Sequence, residues 1–206
     1  MNVRDCTLAE LVELDSNLGE PVVFHGSTTC FCEQIAATGW PLCGRPYSWD
    51  DINFVRDLAD RLNQTSGGWV GLGLKCRHQG ASFTGQLSRA HQYASQCQGG
   101  ENLFSARDVA NRLVGFLRLA GERPAELQRL EDLQTCWSRL VAGALPVVYA
   151  VRPTEAVFPS FFQNQHAQLA VLGKVIDRLM EYNPVADVPA SAIMGRCVLE
   201  RPPAWK

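Results

Sequence analysis

Residues 21–40 read PVVFHGSTTCFCEQIAATGW, and the rest of the chain is best read outward from them. Pro21-Val22-Val23-Phe24 is a short apolar run that stops at His25-Gly26-Ser27, the pattern of a buried strand opening into a polar turn. A glycine lets another group come close to the main chain, and the adjacent His and Ser place polar atoms at the same point. Taken alone, the triplet is a weak signal, because a His at a strand end is more often a plain surface or capping residue. Residues Thr28 to Thr38 follow as a predicted helix closed by Gly39, which puts Ile35 at offset 10 from His25 and Gly39-Trp40 at offsets 14 and 15.

Two further stretches belong with the first. Residues 80–94, GASFTGQLSRAHQYA, read as a strand over Gly80–Thr84 and then a helix through Leu87, Ala90 and Tyr93. Ala90 stands at offset 8 from Ser82, and Tyr93-Ala94 at offsets 11 and 12. Residues 181–195, EYNPVADVPASAIMG, place Glu181 ahead of a Val188-Pro189 pair, Ile193 and Gly195. By periodicity Tyr93 is as well explained as a core residue, and Glu181 at a helix end as a solvated one. Glu155 and Glu200 are rival carboxylates.

These three stretches resemble the diphtheria-toxin and poly(ADP-ribose) polymerase class of ADP-ribosyltransferases. In that family a strand ends in His-Gly-Ser/Thr and a helix follows with an apolar residue and a glycine at the same offsets. A second strand carries Tyr-φ-Thr/Ala ahead of a helix with Ala and Tyr-Ala/Cys, and a glutamate opens a late strand. The match covers about half of the chain, and its first two motifs are the specific ones. The resemblance implies an α+β fold in which two small packed β-sheets with flanking helices frame an NAD cleft. It implies that His25 holds the adenosine-side ribose, and that the Gly26 main chain with Ser27 or Ser82 holds the carboxamide of nicotinamide. Tyr93 would stack on the nicotinamide ring through its ring face, and Glu181 would be catalytic together with His25. One departure stands out: Ser82 occupies the place of the family's first tyrosine, so one of the two rings that sandwich nicotinamide is missing.

The residue types suit that chemistry on their own terms. Breaking a nicotinamide–ribose bond develops oxocarbenium-like positive charge on the sugar, and a carboxylate beside the ribose stabilises it, as in glycoside hydrolysis. The expected function is therefore transfer of ADP-ribose from NAD, as substrate, to a macromolecular acceptor, a protein in the first place and a nucleic acid less so. An RNA 2′-phosphotransferase of the same fold is one alternative. A catalytically inactive module that binds ADP-ribose or a partner is another, and Ser82 in place of tyrosine favours it.

The remaining elements follow from capping and periodicity. Thr7-Leu-Ala-Glu10 is a capping box that opens a short helix ended by Gly19. Ser48 caps a helix with an apolar stripe of Ile52, Val55, Leu58, Ala59 and Leu62. The Gly67–Gly73 stretch has no Lys-Ser/Thr ending, so it is no phosphate loop, and it brackets a short strand near Trp69–Leu74. Ser105 caps a helix ended by Gly121, and Pro124 opens another ended by Gly143. Residues 99–143 thus read as a helical insertion into a single catalytic domain of residues 1–206. Leu145–Val151 is the clearest strand, residues Phe161 to Met180 are predicted helical, and Ile193–Leu199 is the last strand.

Composition bounds the function. The 206 residues are 46% hydrophobic and 19% charged, which excludes a disordered chain. A net charge of −2 gives no long-range positive field for duplex nucleic acid or anionic lipid. No apolar run approaches the roughly 20 residues that span a bilayer, and MNVRDCTLAELVELD lacks a secretory apolar core, so a soluble, cytoplasmic chain is expected, including one delivered into another cell as an effector. The eight cysteines show no framework and read as buried thiols. Cys30-x-Cys32 with Cys43 and Cys76-x-His78 is only an irregular half-match to zinc. A Cys30 nucleophile served by His25 or His166 is a weaker alternative, with no family signature around it.

Overall fold

In the computed structural model, which describes residues 3–17, 21–40, 47–65, 81–121, 123–163 and 181–202, Thr7 starts the first helix as its capping box predicts. Its hydroxyl accepts from the Glu10 main-chain N–H, the Glu10 carboxylate returns to the Thr7 N–H, and α1 runs over Leu8–Ser16. The expected stop at Gly19, the strand near Trp69–Leu74 and most of the helix expected up to Met180 lie outside the described residues. Residues 159–163 are helical.

The first strand is longer than its apolar run. β1 spans Val23–Thr28 and carries His25-Gly26-Ser27 inside it, because six consecutive residues pair with the strand β3, Pro146–Val151, from Val23↔Val151 to Thr28↔Pro146. That pairing satisfies main-chain groups which a turn would have left to solvent. Only Thr29–Phe31, a single 3-10 turn, and α2, Cys32–Thr38, then remain of the helix expected from Thr28. β2 is Phe83–Thr84, α4 is Leu87–Gln96, β4 is Glu181–Tyr182 and β5 is Ile193–Val198.

Where two small sheets were expected, the described strands form one five-stranded antiparallel sheet in the order β4-β2-β1-β3-β5. Phe24 is the hinge of this arrangement: it faces Thr84 on one side and Ala150 on the other, which joins both halves through β1. The β1–β2 register is that single pair, whereas β1 and β3 share six. The fold class is α+β.

The sheet is apolar on both sides, which is why every residue of β3 is buried. On one face Leu11 of α1 and Leu87, Ala90 and Ala94 of α4 pack with Phe24, Val148, Ala150 and Cys197. On the other, Trp40 lies 5.2 Å from Phe83 and 5.4 Å from Tyr149, and Phe83 lies 5.1 Å from Phe158, all edge to face.

The chain divides into two compact units. The sheet belongs to the unit of Met1–Arg45, Gln79–Gln98 and Leu145–Lys206; Pro46–His78 and Gly99–Ala144 form the other. The second unit contains α3 (Trp49–Thr65), α5 (Gly100–Ala120) and α6 (Pro124–Val141), so the expected insertion is packed with α3. The predicted stripe of α3 is buried there beside Leu103, Leu113, Leu130 and Trp137. Ser105 is not the cap of α5. That helix starts at Gly100, after Gly99 at φ +87°, because burial of Leu103 draws the preceding turn into the helix.

Candidate active site

Gly26 is explained by packing. A Cβ at this position would stand 2.3 Å from the carbonyl oxygen of Ala90 and 2.8 Å from the main-chain nitrogen of Ala94, and helix backbone cannot move aside as a side-chain tip can. The missing side chain therefore lets α4 lie directly on β1, and this carries Tyr93 to the strand: its Cβ is 3.2 Å from the same point. Gly39 serves a related purpose. Its φ of +75° suits glycine, and a Cβ there would meet the Val188 oxygen at 1.9 Å. Trp40 and Val188 then exchange main-chain hydrogen bonds of 2.8 and 2.7 Å, which ties the end of the first motif to the end of the third.

Register sets which side chains share a face. Phe24, Thr84 and Glu181 lie opposite one another across β1, β2 and β4, so Glu181 points to the α4 side of the sheet. There the Tyr93 hydroxyl donates to Glu181 Oε1 at 2.6 Å, and the Arg89 guanidinium donates to the same oxygen at 2.9 Å. The carboxylate keeps the phenol's proton in place, so the Tyr93 pKa is raised, chiefly by that hydrogen bond. Arg89 sits 5.8 Å from the centre of the Tyr93 ring, one helical turn before it. The Glu181 and Arg89 side chains are 38% and 33% exposed, so this cluster is open to a ligand.

His25 faces the other way. Its ring lies 5.0 Å from Trp40 and 5.1 Å from Phe83, and its Nδ1 is 2.9 Å from the main-chain oxygen of Ser82. Burial against these rings pushes the imidazole pKa down to about 4, so His25 is neutral at physiological pH. A carbonyl can only accept, so Nδ1 carries the proton and Nε2 is left as an acceptor for a hydroxyl. Ser27, two residues on along the same face, is buried.

Ser82 joins the two sides. Its carbonyl holds His25, while its hydroxyl donates to Asn183 Oδ1 at 3.1 Å, two residues beyond Glu181 on the same side of the chain. Three contacts, His25–Ser82, Tyr93–Glu181 and Ser82–Asn183, spanning 57, 88 and 101 residues of sequence, thus draw the three segments together. The rival carboxylates Glu155 and Glu200 are exposed, the first in a turn after β3 and the second beyond β5.

Two residues of this cluster carried a signal that motif reading passed over. Arg89 stands four residues before Tyr93, which is one face of a helix, and Asn183 stands two after Glu181, which is one face of a strand. The Tyr93 hydroxyl likewise has a partner, where only its ring face had been given a task.

The cysteine alternatives gain little. Cys30 Sγ lies 2.9 Å from Thr28 Oγ1, and burial pushes its thiol up, away from the reactive thiolate. Cys32 receives a 3.1 Å hydrogen bond from the buried Tyr149 hydroxyl. Cys43, Cys76, His78 and His166 lie outside the described residues; among the described residues no group of three metal-ligating side chains is present. No described helix is long and apolar enough to cross a membrane. In comparisons with known proteins, no family model, no curated protein and no solved structure matches the chain.

Proposed function

We propose that this protein is an ADP-ribosyltransferase that moves ADP-ribose from NAD to a protein acceptor and releases nicotinamide, on an ADP-ribosyltransferase fold. The observation that carries the reading is the 2.6 Å hydrogen bond from Tyr93 to Glu181 across 88 residues of sequence. Tyr93 and Glu181 were assigned from separate motifs, and chance gives two such residues little reason to meet. The Trp40–Val188 pairing supports it independently, since it joins the ends of the first and third motifs.

The residues fit the substrate at both ends. Neutral His25 offers Nε2 to a hydroxyl of the adenosine-side ribose, and the Tyr93 ring offers a flat face to nicotinamide. Glu181, aimed by two donors on Oε1, places negative charge where the sugar becomes positive as the glycosidic bond breaks. His25 and Glu181 occupy opposite faces of the sheet, so the reading rests on Tyr93 and Glu181, which share one face. Gly26 and Ser27 contribute main chain and buried polar atoms beside them. The test is release of nicotinamide from NAD by purified protein, followed with and without cell lysate, together with transfer of tagged ADP-ribose to lysate proteins. A second reading, a module that binds ADP-ribose without cleaving NAD, is favoured by Ser82, which spends its hydroxyl on Asn183 and supplies no second ring.

A further inference from the structure

The segment ahead of α1 runs parallel beside β5. The Cys6 N–H donates to the Arg196 oxygen at 2.7 Å and the Arg196 N–H to the Arg4 oxygen at 2.9 Å, so Asp5 stands opposite Arg196. Their side chains form an ion pair of 2.7 Å on the face of the sheet that carries Tyr149, the β3 partner of Arg196. Side chains alternate along a strand, so the next residue of each segment, Cys6 and Cys197, turns to the α4 face. There Cys197 is buried with Val148 and Ala150, and Cys6 packs against the same cluster. Gly195 makes the room, since a Cβ at that position would collide with the Cys6 sulfur. Adjacent strands lie about 4.8 Å apart, inside the Cα separation of about 4.4–6.8 Å that a disulfide bridges.

Both thiols are free. Burial pushes each of them up, and the charge of a Cys6 thiolate is the next cause at Cys197, an effect of near neighbours. Cys6 is half-buried and lines a cleft of about 510 Å³ beside Arg4, Glu10 and Arg152, whereas Cys197 is buried. A reagent therefore reaches Cys6 first.

We propose that Cys6 and Cys197 form a reversible redox staple, closed by a small disulfide of the glutathione type, that fastens α1 to the sheet. The Cys6 thiol gives its proton to solvent, and its sulfur attacks one sulfur of glutathione disulfide. The S–S bond breaks, one glutathione leaves as its thiolate, and Cys6 is left as a mixed disulfide. Cys197 then loses its proton, and its sulfur displaces the second glutathione from Cys6. The two protein thiols are oxidised by two electrons, and glutathione disulfide is reduced to two glutathione thiols, which take up the two protons. The bond joins residues as far apart in sequence as Asp5 and Arg196, 191 residues, and it stands immediately before Thr7, the cap of α1. Leu11 of that helix lies in the core of the sheet unit, so the cross-link holds a packed element and not a loose end. This chemistry does not depend on NAD cleavage.

The experiment uses the full chain, incubated with glutathione disulfide and analysed without reduction. The wild-type protein should lose two hydrogen atoms in mass and retain no glutathione, and its digest should contain one peptide pair joined through Cys6 and Cys197. Dithiothreitol should reverse both changes. The oxidised protein should unfold in urea with a midpoint about 1 M above that of the reduced protein, because a long closed loop restricts the unfolded chain. Cys6→Ser should show neither the joined peptides nor the rise in midpoint, and Cys197→Ala should stop at glutathione held on Cys6. A bond that maps to another pair such as Cys30 and Cys32 overturns the inference. So does a wild-type protein that stays reduced or keeps glutathione on Cys6, or a Cys6–Cys197 bond that leaves the urea midpoint where it was.

Discussion

The Tyr93 hydroxyl and the Glu181 carboxylate form a 2.6 Å hydrogen bond between helix α4 and strand β4, and the bond gives Tyr93 two tasks where a stacking ring has one. On the transferase reading the ring would offer a face to nicotinamide, and the hydroxyl would help to aim the Glu181 carboxylate. Tyr93→Phe should therefore leave KM for NAD nearly unchanged and lower kcat about tenfold, the cost of one hydrogen bond to a charged group of about 1.5 kcal/mol. Tyr93→Ala should also raise KM. Steady-state nicotinamide release by both variants checks this; a fully active Tyr93→Phe would leave the hydroxyl without a role.

Gly26 makes a prediction about folding. Because its missing Cβ is replaced by the Ala90 oxygen and the Ala94 nitrogen, even Gly26→Ala should force α4 off β1. The expected loss is about 3 kcal/mol or the whole fold, the upper end of overpacking effects. Urea denaturation of Gly26→Ala against wild type measures it. A variant of unchanged midpoint would show that α4 and β1 are less closely packed.

His25 sets a pH dependence of stability. Its pKa is about 4 in the folded protein, below the ordinary histidine value, so between the two the unfolded chain binds a proton that the folded chain does not. Stability is complete above the unfolded value and falls as pH drops toward the folded one, by at most about 3 kcal/mol. His25→Asn, which can still donate to the Ser82 oxygen, should lose part of that slope between neutral pH and the acid end of the window. Denaturant midpoints across that range decide it; identical slopes in both proteins would mean that the imidazole is already solvated in the fold.

Much of this was legible from local chemistry, and what was not has a physical cause. The Thr7 capping box, the α3 stripe and the β3 apolar run each contain their own explanation within a few residues, and each formed as read. The extension of β1 through Ser27 and the true start of α5 depend on partners far along the chain, Val147 to Tyr149 for one and the packing of Leu103 for the other. The packing of α4 on Gly26 depends on distant partners in the same way: a glycine in a strand marks a close approach, but only the fold says that a helix approaches its Cα here. Arg89 and Asn183 sat at helical and strand spacing from Tyr93 and Glu181, and that period was there to be used.

The central claim rests on Glu181, and nicotinamide release from NAD by three single variants tests it most directly. Glu181→Gln keeps the shape of the side chain and removes its charge; kcat should fall by about 2.7–4 kcal/mol in barrier terms, with NAD affinity little changed. Glu155→Gln and Glu200→Gln, at exposed positions away from Tyr93, should release nicotinamide as the wild type does. Full activity in Glu181→Gln, or a dead enzyme on changing Glu155 or Glu200 instead, would contradict the account.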